Sequence, residues 1–370
     1  MIEKHLLDEM TPVERRKAIQ SGKPFDRFPC IPAMGEFKTQ ISHVSIYDMW
    51  HDSEKLAAME LAAFQRFGHD QLMIGPNSYG IADALGAEVK YPLQQLPYIQ
   101  RPSLDTLDKV RALEPVDLRK KPRIQMFFQA AAILEKEAVS VVPVVASAGG
   151  PMTIASYLRG VEALLRDCYK APKEVHHLLR VVTETEKSSI RAMAEYGLGT
   201  AFADPVANPE LLGPRYYKEF AFPYMKELTD YAYEVSGRKP TLHMCGKTYR
   251  IWEYFRQFQI DSISLDNLID LSRARDELSD VLRIAGNVPP VDVIMCGDKE
   301  DIFESVKQCF AIGRQMKKGY VLCSGCEIPY GTDPQKVDWF MEAARIYGRW
   351  EEKDRERNSN GRDQRFSLYL

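Results

Sequence analysis

Three residues in two stretches could do chemistry in this chain: His243 and Cys245 in TLHMCGK (241–247), and Cys326 in LCSGCEIP (322–329). Imidazole and thiolate together form a zinc ligand set, and three protein ligands leave the fourth tetrahedral position free for a substrate. His243 and Cys245, two apart, project to the same face if they lie on a strand. Gly246 follows, where a chain leaving a strand can turn without steric cost. Cys326 is far along the sequence, unlike the closely spaced ligand pairs of a zinc finger.

The chemistry suited to such a site is the activation of another sulfur. A free thiol with a pKa of about 8.5 is only a few per cent ionised at neutral pH, and ionising it costs about 2 kcal/mol at pH 7. Coordination deprotonates the thiol and holds it in place for attack on a methyl carbon. Two thiolate ligands keep the metal electron-rich, which favours a nucleophilic sulfur, although hydrolysis through zinc-bound water is also open to such a site.

Each residue also has a plainer reading. His243 could be a satisfied interior histidine, and the cysteines small buried hydrophobes. Cys323 and Cys326 form a CxxC that could act as a redox pair, but Pro329 follows too closely for the helix that usually opens there. All four together could make a closed Cys3His structural site. Cys323 falls within an apolar run and Cys326 beyond it, so the reading adopted here takes Cys326 alone as the third ligand.

The elements that must position these residues show as eight short apolar runs: 29–33, 71–75, 139–147, 200–204, 240–244, 261–266, 282–287 and 320–324. Amphipathic segments separate them, among them SEKLAAMELAAFQRFG (53–68) and PKEVHHLLRVVTETEKSSIRAMAEYG (172–197). Buried parallel strands joined by crossover helices produce this alternation. The fold expected is α/β, a (β/α)8 TIM barrel with an N-terminal helical extension and a long insert after the second strand. An open doubly wound sheet is the competing architecture. The insert, 76–138, should hold a hairpin around EVKYPLQQLPYIQR. One domain is expected over 1–350, followed by a charged tail over 351–370.

Active sites of such barrels lie at the C-terminal strand ends. Those ends carry Glu36, Ser147, Asp204, His243 with Cys245, Asp266, Asn287, and Cys323 with Cys326, so both halves of the zinc set fall on one face. Asp204 and Asp266 could hold a substrate polar group or orient a ligand, or cap the helix that follows.

The chain has 370 residues, 45% apolar and 27% charged, with a net charge of -3. A chain of that size buries roughly 75% of its extended surface. Scattered basic residues give no nucleic-acid footprint. No run approaches the ~18 apolar residues of a membrane helix. Seven cysteines without a secretion signal point to reduced thiols in a cytoplasm.

Across about residues 11–348 the chain resembles the uroporphyrinogen decarboxylase superfamily. Within it, the resemblance is greatest to the zinc-dependent methylcobamide:coenzyme M methyltransferases and related corrinoid-dependent methyltransferases. The matching stretches are GGPMTIASYLRG (149–160), ADPVANPELLGPRYYKEFAFPYMKEL (203–228), LHMCG (242–246), AGNVPPVDVIMCG (285–297) and CSGCEIPYGTDP (323–334). The resemblance implies zinc on His243, Cys245 and Cys326, with Cys323 outside the usual ligands. It also implies methyl transfer between a corrinoid on a separate partner protein and a small substrate, expected to be a thiol. Decarboxylases of the superfamily carry an arginine-rich RQAGR signature after their first strand. This chain has IPAMGEFKTQ (31–40) there, so the clamp for a highly carboxylated macrocycle is missing. Glu36 occupies that neighbourhood and is expected to approach the metal or the substrate; Asp204 is expected in the pocket. The alternatives are a metal-free decarboxylase and a zinc-stabilised, non-catalytic barrel. The substrate, the direction of transfer, the carrier and any homo-oligomer are not legible.

Overall fold

A computed structural model of the protein describes residues 2–352 and 354. It has strands β1 (Leu72–Ile74), β2 (Val89–Lys90), β3 (Tyr98–Ile99), β4 (Val144–Gly149), β5 (Gly199–Ala203), β6 (Thr241–Met244), β7 (Ser262–Leu265), β8 (Arg283–Val288) and β9 (Tyr320–Ser324). Seven of them form one parallel sheet in the order β1-β4-β5-β6-β7-β8-β9. All five positions of β9 are buried, as a strand covered on both faces requires. The crossover helices bury periodic apolar stripes: in Pro172–Glu195 these include Val175, Leu178, Val182, Ile190 and Met193, and Pro172 occupies its first turn.

The expected first strand, 29–33, is reduced to a single bridge, Cys30 with Leu322. Pro29 and Pro32 have no N–H to donate, so only the two residues between them can complete a ladder. Ile31 N–H donates to Leu322 O at 2.9 Å, and Leu322 N–H donates to Pro29 O at 2.9 Å. On the other side Asp70 N–H donates to Cys30 O at 2.9 Å. This short stave therefore joins the two edges of the seven-stranded sheet, and the barrel closes through it.

A buried charge cluster pins the stave and the N-terminal helix, Pro12–Gln20. Asp70 pairs with Arg15 and, at 2.6 Å, with Arg27; the same carboxylate accepts the Cys30 N–H at 2.7 Å. Arg27 also holds Asp8 at 2.9 Å. Burial would raise the Asp8 carboxyl, but Arg27 overrides it and holds it down at about 2.

The long insert contains helix Asn77–Ala84, the expected hairpin (β2 antiparallel to β3) and helix Pro122–Ala138. Val139 closes that last helix, so the apolar run 139–147 becomes a strand only from Val144, and Ser147 lies inside β4 instead of at its end. Among the described residues no helix is long and apolar enough to cross a membrane. Apart from Glu351, Glu352 and Asp354, the expected charged tail lies outside the described residues.

Candidate metal centre at the barrel mouth

β6 delivers His243 and the chain just beyond it delivers Cys245. In register, His243 stands beside Ala203 of β5 and Ser264 of β7. The Ser264 hydroxyl lies 3.1 Å from His243 Nδ1, which turns Nε2 toward the sulfurs. Nε2 is 3.2 Å from Cys245 Sγ, and Cys245 Sγ is 3.9 Å from Cys326 Sγ.

The two cysteine loops are held from outside. Gly246 leaves β6 at a φ of 75°, a conformation that favours glycine; a Cβ there would also collide with Asn208 Nδ2. Its N–H donates to Asp266 Oδ2 at 2.8 Å, and Asn208 Nδ2 donates to Cys245 O at 2.9 Å. On the Cys326 side, Gly325 N–H donates to Val288 O at 2.8 Å, and a Cβ on Gly325 would strike the Asn267 backbone. Residues 266 and 267, at the end of β7, thus brace both loops.

Among the described residues one group of three possible ligand atoms emerges: those of His243, Cys245 and Cys326, all within 4.8 Å of one another. A tetrahedral metal with bonds of about 2.1 Å to nitrogen and 2.3 Å to sulfur requires ligand–ligand edges of about 3.6–3.8 Å. The observed 3.2 and 3.9 Å bracket those edges, so the donor set fits a zinc-sized ion. The Cys245 hydrogen bond, reinforced by His243, draws the Cys326 thiol down to about 4, while the same hydrogen bond pushes Cys245 up. A cation binding between the two thiols would displace the proton they share.

The remaining expected residues fall in different places. Cys323 is on β9, buried against Ala285 and Val321, and lies outside the ligand group. Burial pushes its thiol up to about 12, as befits a cysteine that stays protonated. Glu36 also lies outside the ligand group. It opens the short 3-10 turn Glu36–Lys38, half-buried, and burial raises its carboxyl.

Asp204 is 1% exposed and faces the first turn of helix Pro151–Arg159. It accepts from Thr153 N–H at 2.9 Å, Thr153 Oγ1 at 2.7 Å and Met152 N–H at 3.3 Å. Burial lifts it to about 6 against these donors. It therefore caps the helix after β4, not the helix that follows it in sequence. Asp266 grips Gly246 and Leu268 N–H instead of His243, whose second nitrogen belongs to Ser264. Asn287 Nδ2 donates to the carbonyls of Asp266 at 3.1 Å and Ile269 at 2.7 Å and so fixes that brace.

Glu327 escaped the sequence reading, although it directly follows Cys326. Its surface is exposed, and its carboxylate lies close against Gly35. Burial, then the nearby Glu36 and Cys326, push its carboxyl up to about 8. Tyr79 and Tyr157 stack on each other, ring centroids 4.7 Å apart at 23°.

Comparison with known proteins gives the same frame. A methylcobamide:CoM methyltransferase, MtbA, of Methanosarcina acetivorans is 25% identical over 346 residues, which cover 92% of this chain and 99% of that protein. A methylated-thiol–coenzyme M methyltransferase of Methanosarcina mazei is 24% identical, covering 92% of this chain and 90% of the relative. A uroporphyrinogen decarboxylase of Shewanella loihica is 23% identical, covering 79% and 83%. The solved structure of a methyltransferase from Methanosarcina mazei superposes with a TM-score of 0.81 at 22% identity, over 92% of this chain and 99% of that one. Residues 11–347 match the sequence profile described as uroporphyrinogen decarboxylase (URO-D). With nearly the whole barrel inside that match, the chain belongs to the uroporphyrinogen decarboxylase family.

Proposed function

We propose that this protein is a zinc-dependent methyltransferase that moves a methyl group between a corrinoid carried by a partner protein and a small thiol. The observation that carries the proposal is the convergence of His243 Nε2, Cys245 Sγ and Cys326 Sγ at the strand ends. The names of the relatives support it, since several act on methylcobamide and coenzyme M. The missing arginines at 31–40 argue against decarboxylation of a polycarboxylate.

Bound here, zinc would ionise the substrate thiol and hold it as a thiolate. The protein does the rest. Ser264 fixes the His243 ring, Asp266 and Asn208 fix the Cys245 turn, and the Val288 carbonyl fixes the loop that carries Cys326. Held so, the acceptor sulfur presents a lone pair to the methyl carbon. A corrinoid on the partner would supply the methyl group, its carbon–cobalt bond breaking with the electron pair left on cobalt as the sulfur–carbon bond forms. Demethylation of a small thioether runs the same step in reverse. The corrinoid protein would dock over the C-terminal strand ends, with Glu36 near the pocket and Asp204 holding the helix after β4 in place behind it. We place the reaction in the cytoplasm, where seven unpaired cysteines stay reduced.

The test is metal content and turnover together. The purified chain should hold about one zinc per protein and methylate a small thiol from methylcobalamin. Cys326→Ala should lose both. A chain without zinc, or a Cys326→Ala variant that retains turnover, defeats the proposal.

A further inference from the structure

We infer that Glu210 is a positioning residue of the metal centre: it holds a backbone N–H away from the Cys245 sulfur and so keeps that thiolate electron-rich. The inference rests on the methyl-transfer reading and adds a residue to it.

Cys245 stands where β6 gives way to a turn, and side chains from the loops on either side hold that turn. The amide between Cys245 and Gly246 is gripped at both ends. Its carbonyl accepts from Asn208 Nδ2 at 2.9 Å, and its N–H donates to Asp266 Oδ2 at 2.8 Å. The next amide is gripped as well, because Lys247 N–H donates to Glu210 Oε2 at 3.1 Å. Local sequence places Glu210 for this. Asn208 caps helix Pro209–Tyr216, Pro209 opens it, and Asn208 Oδ1 accepts the Glu210 N–H at 2.8 Å. One asparagine therefore orients both the glutamate and the cysteine carbonyl. A Cβ on Gly246 would lie 3.2 Å from Glu210 Oε2, so the carboxylate closes directly over the turn.

The destination of these N–H groups decides the chemistry. In turns a side-chain acceptor commonly takes the N–H two residues ahead of it, and Lys247 stands in that relation to Cys245. Gly246 between them can pivot at little steric cost. Released from Glu210, the Lys247 N–H would turn to the Cys245 sulfur, which accepts more strongly once ionised. In this chain both turn amides end on carboxylates. Among the described residues no backbone N–H donates to Cys245 Sγ, whose partners are His243 Nε2 and Cys326 Sγ. Hydrogen bonds to a ligating sulfur draw charge away from its metal. A thiolate spared them donates more, and a second sulfur on the same metal stays the better nucleophile. Glu210 thus acts on the reacting sulfur through Cys245.

An acidic residue in a first turn also steadies its helix through the dipole. That role needs the charge, whereas the amide bond needs only the oxygen. Glu210→Gln keeps an acceptor oxygen without the charge, and Glu210→Ala removes both. The full chain loaded with Co2+ reports the difference through its sulfur-to-cobalt charge-transfer band. In Glu210→Ala the band should move to shorter wavelength, because a hydrogen-bonded thiolate gives up an electron less readily. In Glu210→Gln it should stay at the parent position. Zinc affinity in a chelator competition should fall about tenfold in Glu210→Ala. With methylcobalamin and 2-mercaptoethanol, kcat of that variant should fall while KM for the thiol does not rise.

A parent-like band in Glu210→Ala overturns the inference, as does a Glu210→Gln band that moves as far as that of Glu210→Ala. A crystal structure of the zinc-loaded chain decides without any variant: Lys247 N should lie on Glu210, and Lys247 N within hydrogen-bond reach of Cys245 Sγ overturns the inference. A parent chain with no sulfur-to-cobalt band defeats the metal reading and this inference with it. A band that is present but insensitive to Glu210→Ala defeats the role of Glu210 alone. The expected shift without any methylated thiol upholds that role while the methyl-transfer reading fails.

Discussion

The Asp266 carboxylate grips the backbone of Gly246, Oδ2 to N at 2.8 Å, one residue beyond the Cys245 thiol. Its other oxygen takes the Leu268 N–H at 2.8 Å, so one buried side chain ties the turn after β6 to the turn after β7. Groups that orient metal ligands typically contribute 10–100-fold to affinity. Asp266→Ala should therefore weaken zinc binding by about that factor in a chelator competition, and cost about 1–3 kcal/mol of stability through the stranded amides. Zinc affinity within about twofold of the parent chain would make Asp266 a fold residue only.

The sequence displayed the triad because imidazole and thiol are chemically distinctive and two of the three residues fall at one strand end. It displayed the barrel because the run–helix alternation is long. Other features were hidden for physical reasons. The first stave reads as a strand by hydropathy, and its two prolines decide otherwise. Asp204 and Asp266 each bond backbone groups of a neighbouring βα unit, a relationship that exists only once β4 lies beside β5 and β6 beside β7. Glu327 was in view beside Cys326, but nothing local shows that Gly35, almost three hundred residues earlier, packs against its carboxylate.

Cys323 distinguishes an open metal site from a closed one. Its thiol is buried among Ala285 and Val321, apart from the three ligand atoms. Cys323→Ser should keep about one zinc per chain, whereas Cys245→Ser should lose it. Release of zinc from Cys323→Ser would mean a four-ligand structural site.

Barrel closure concentrates on Asp70. It pairs with both Arg15 and Arg27 and accepts the Cys30 amide. Removing one partner of a buried ion pair costs about 3–5 kcal/mol, and Asp70→Ala takes a carboxylate from two buried guanidiniums while leaving Asp8 to Arg27 and Asp26 to Arg15. Urea unfolding should show a loss of about that size. The same cluster sets acid sensitivity: Asp8 is depressed to about 2, so its contribution is whole above its ordinary value of 3.8 and fades as pH falls toward 2. A loss of stability of less than about 1 kcal/mol in Asp70→Ala would show that the stave is held otherwise.

Glu186 is the opposite case. It lies in the middle of helix Pro172–Glu195, with no measurable exposure. One oxygen accepts the Gly149 N–H at 2.8 Å, and the other has no hydrogen-bond partner. Burial raises the carboxyl from 4.5 to about 8, which makes the folded state bind its proton more tightly than the unfolded chain does. The sign follows. The contribution to stability is complete below about pH 4.5, and it shrinks as pH climbs toward 8, where the fold must either keep the proton or bury a bare charge. Glu186→Gln keeps the oxygen that receives Gly149 and removes the titration. Its melting temperature relative to the parent chain should therefore rise between pH 5 and pH 8.5, by several degrees for a few kcal/mol of linkage. The change in that difference is diagnostic because any fixed packing effect of the amide cancels between the two pH values. Parallel melting curves across the range would mean that the carboxyl does not change protonation between them.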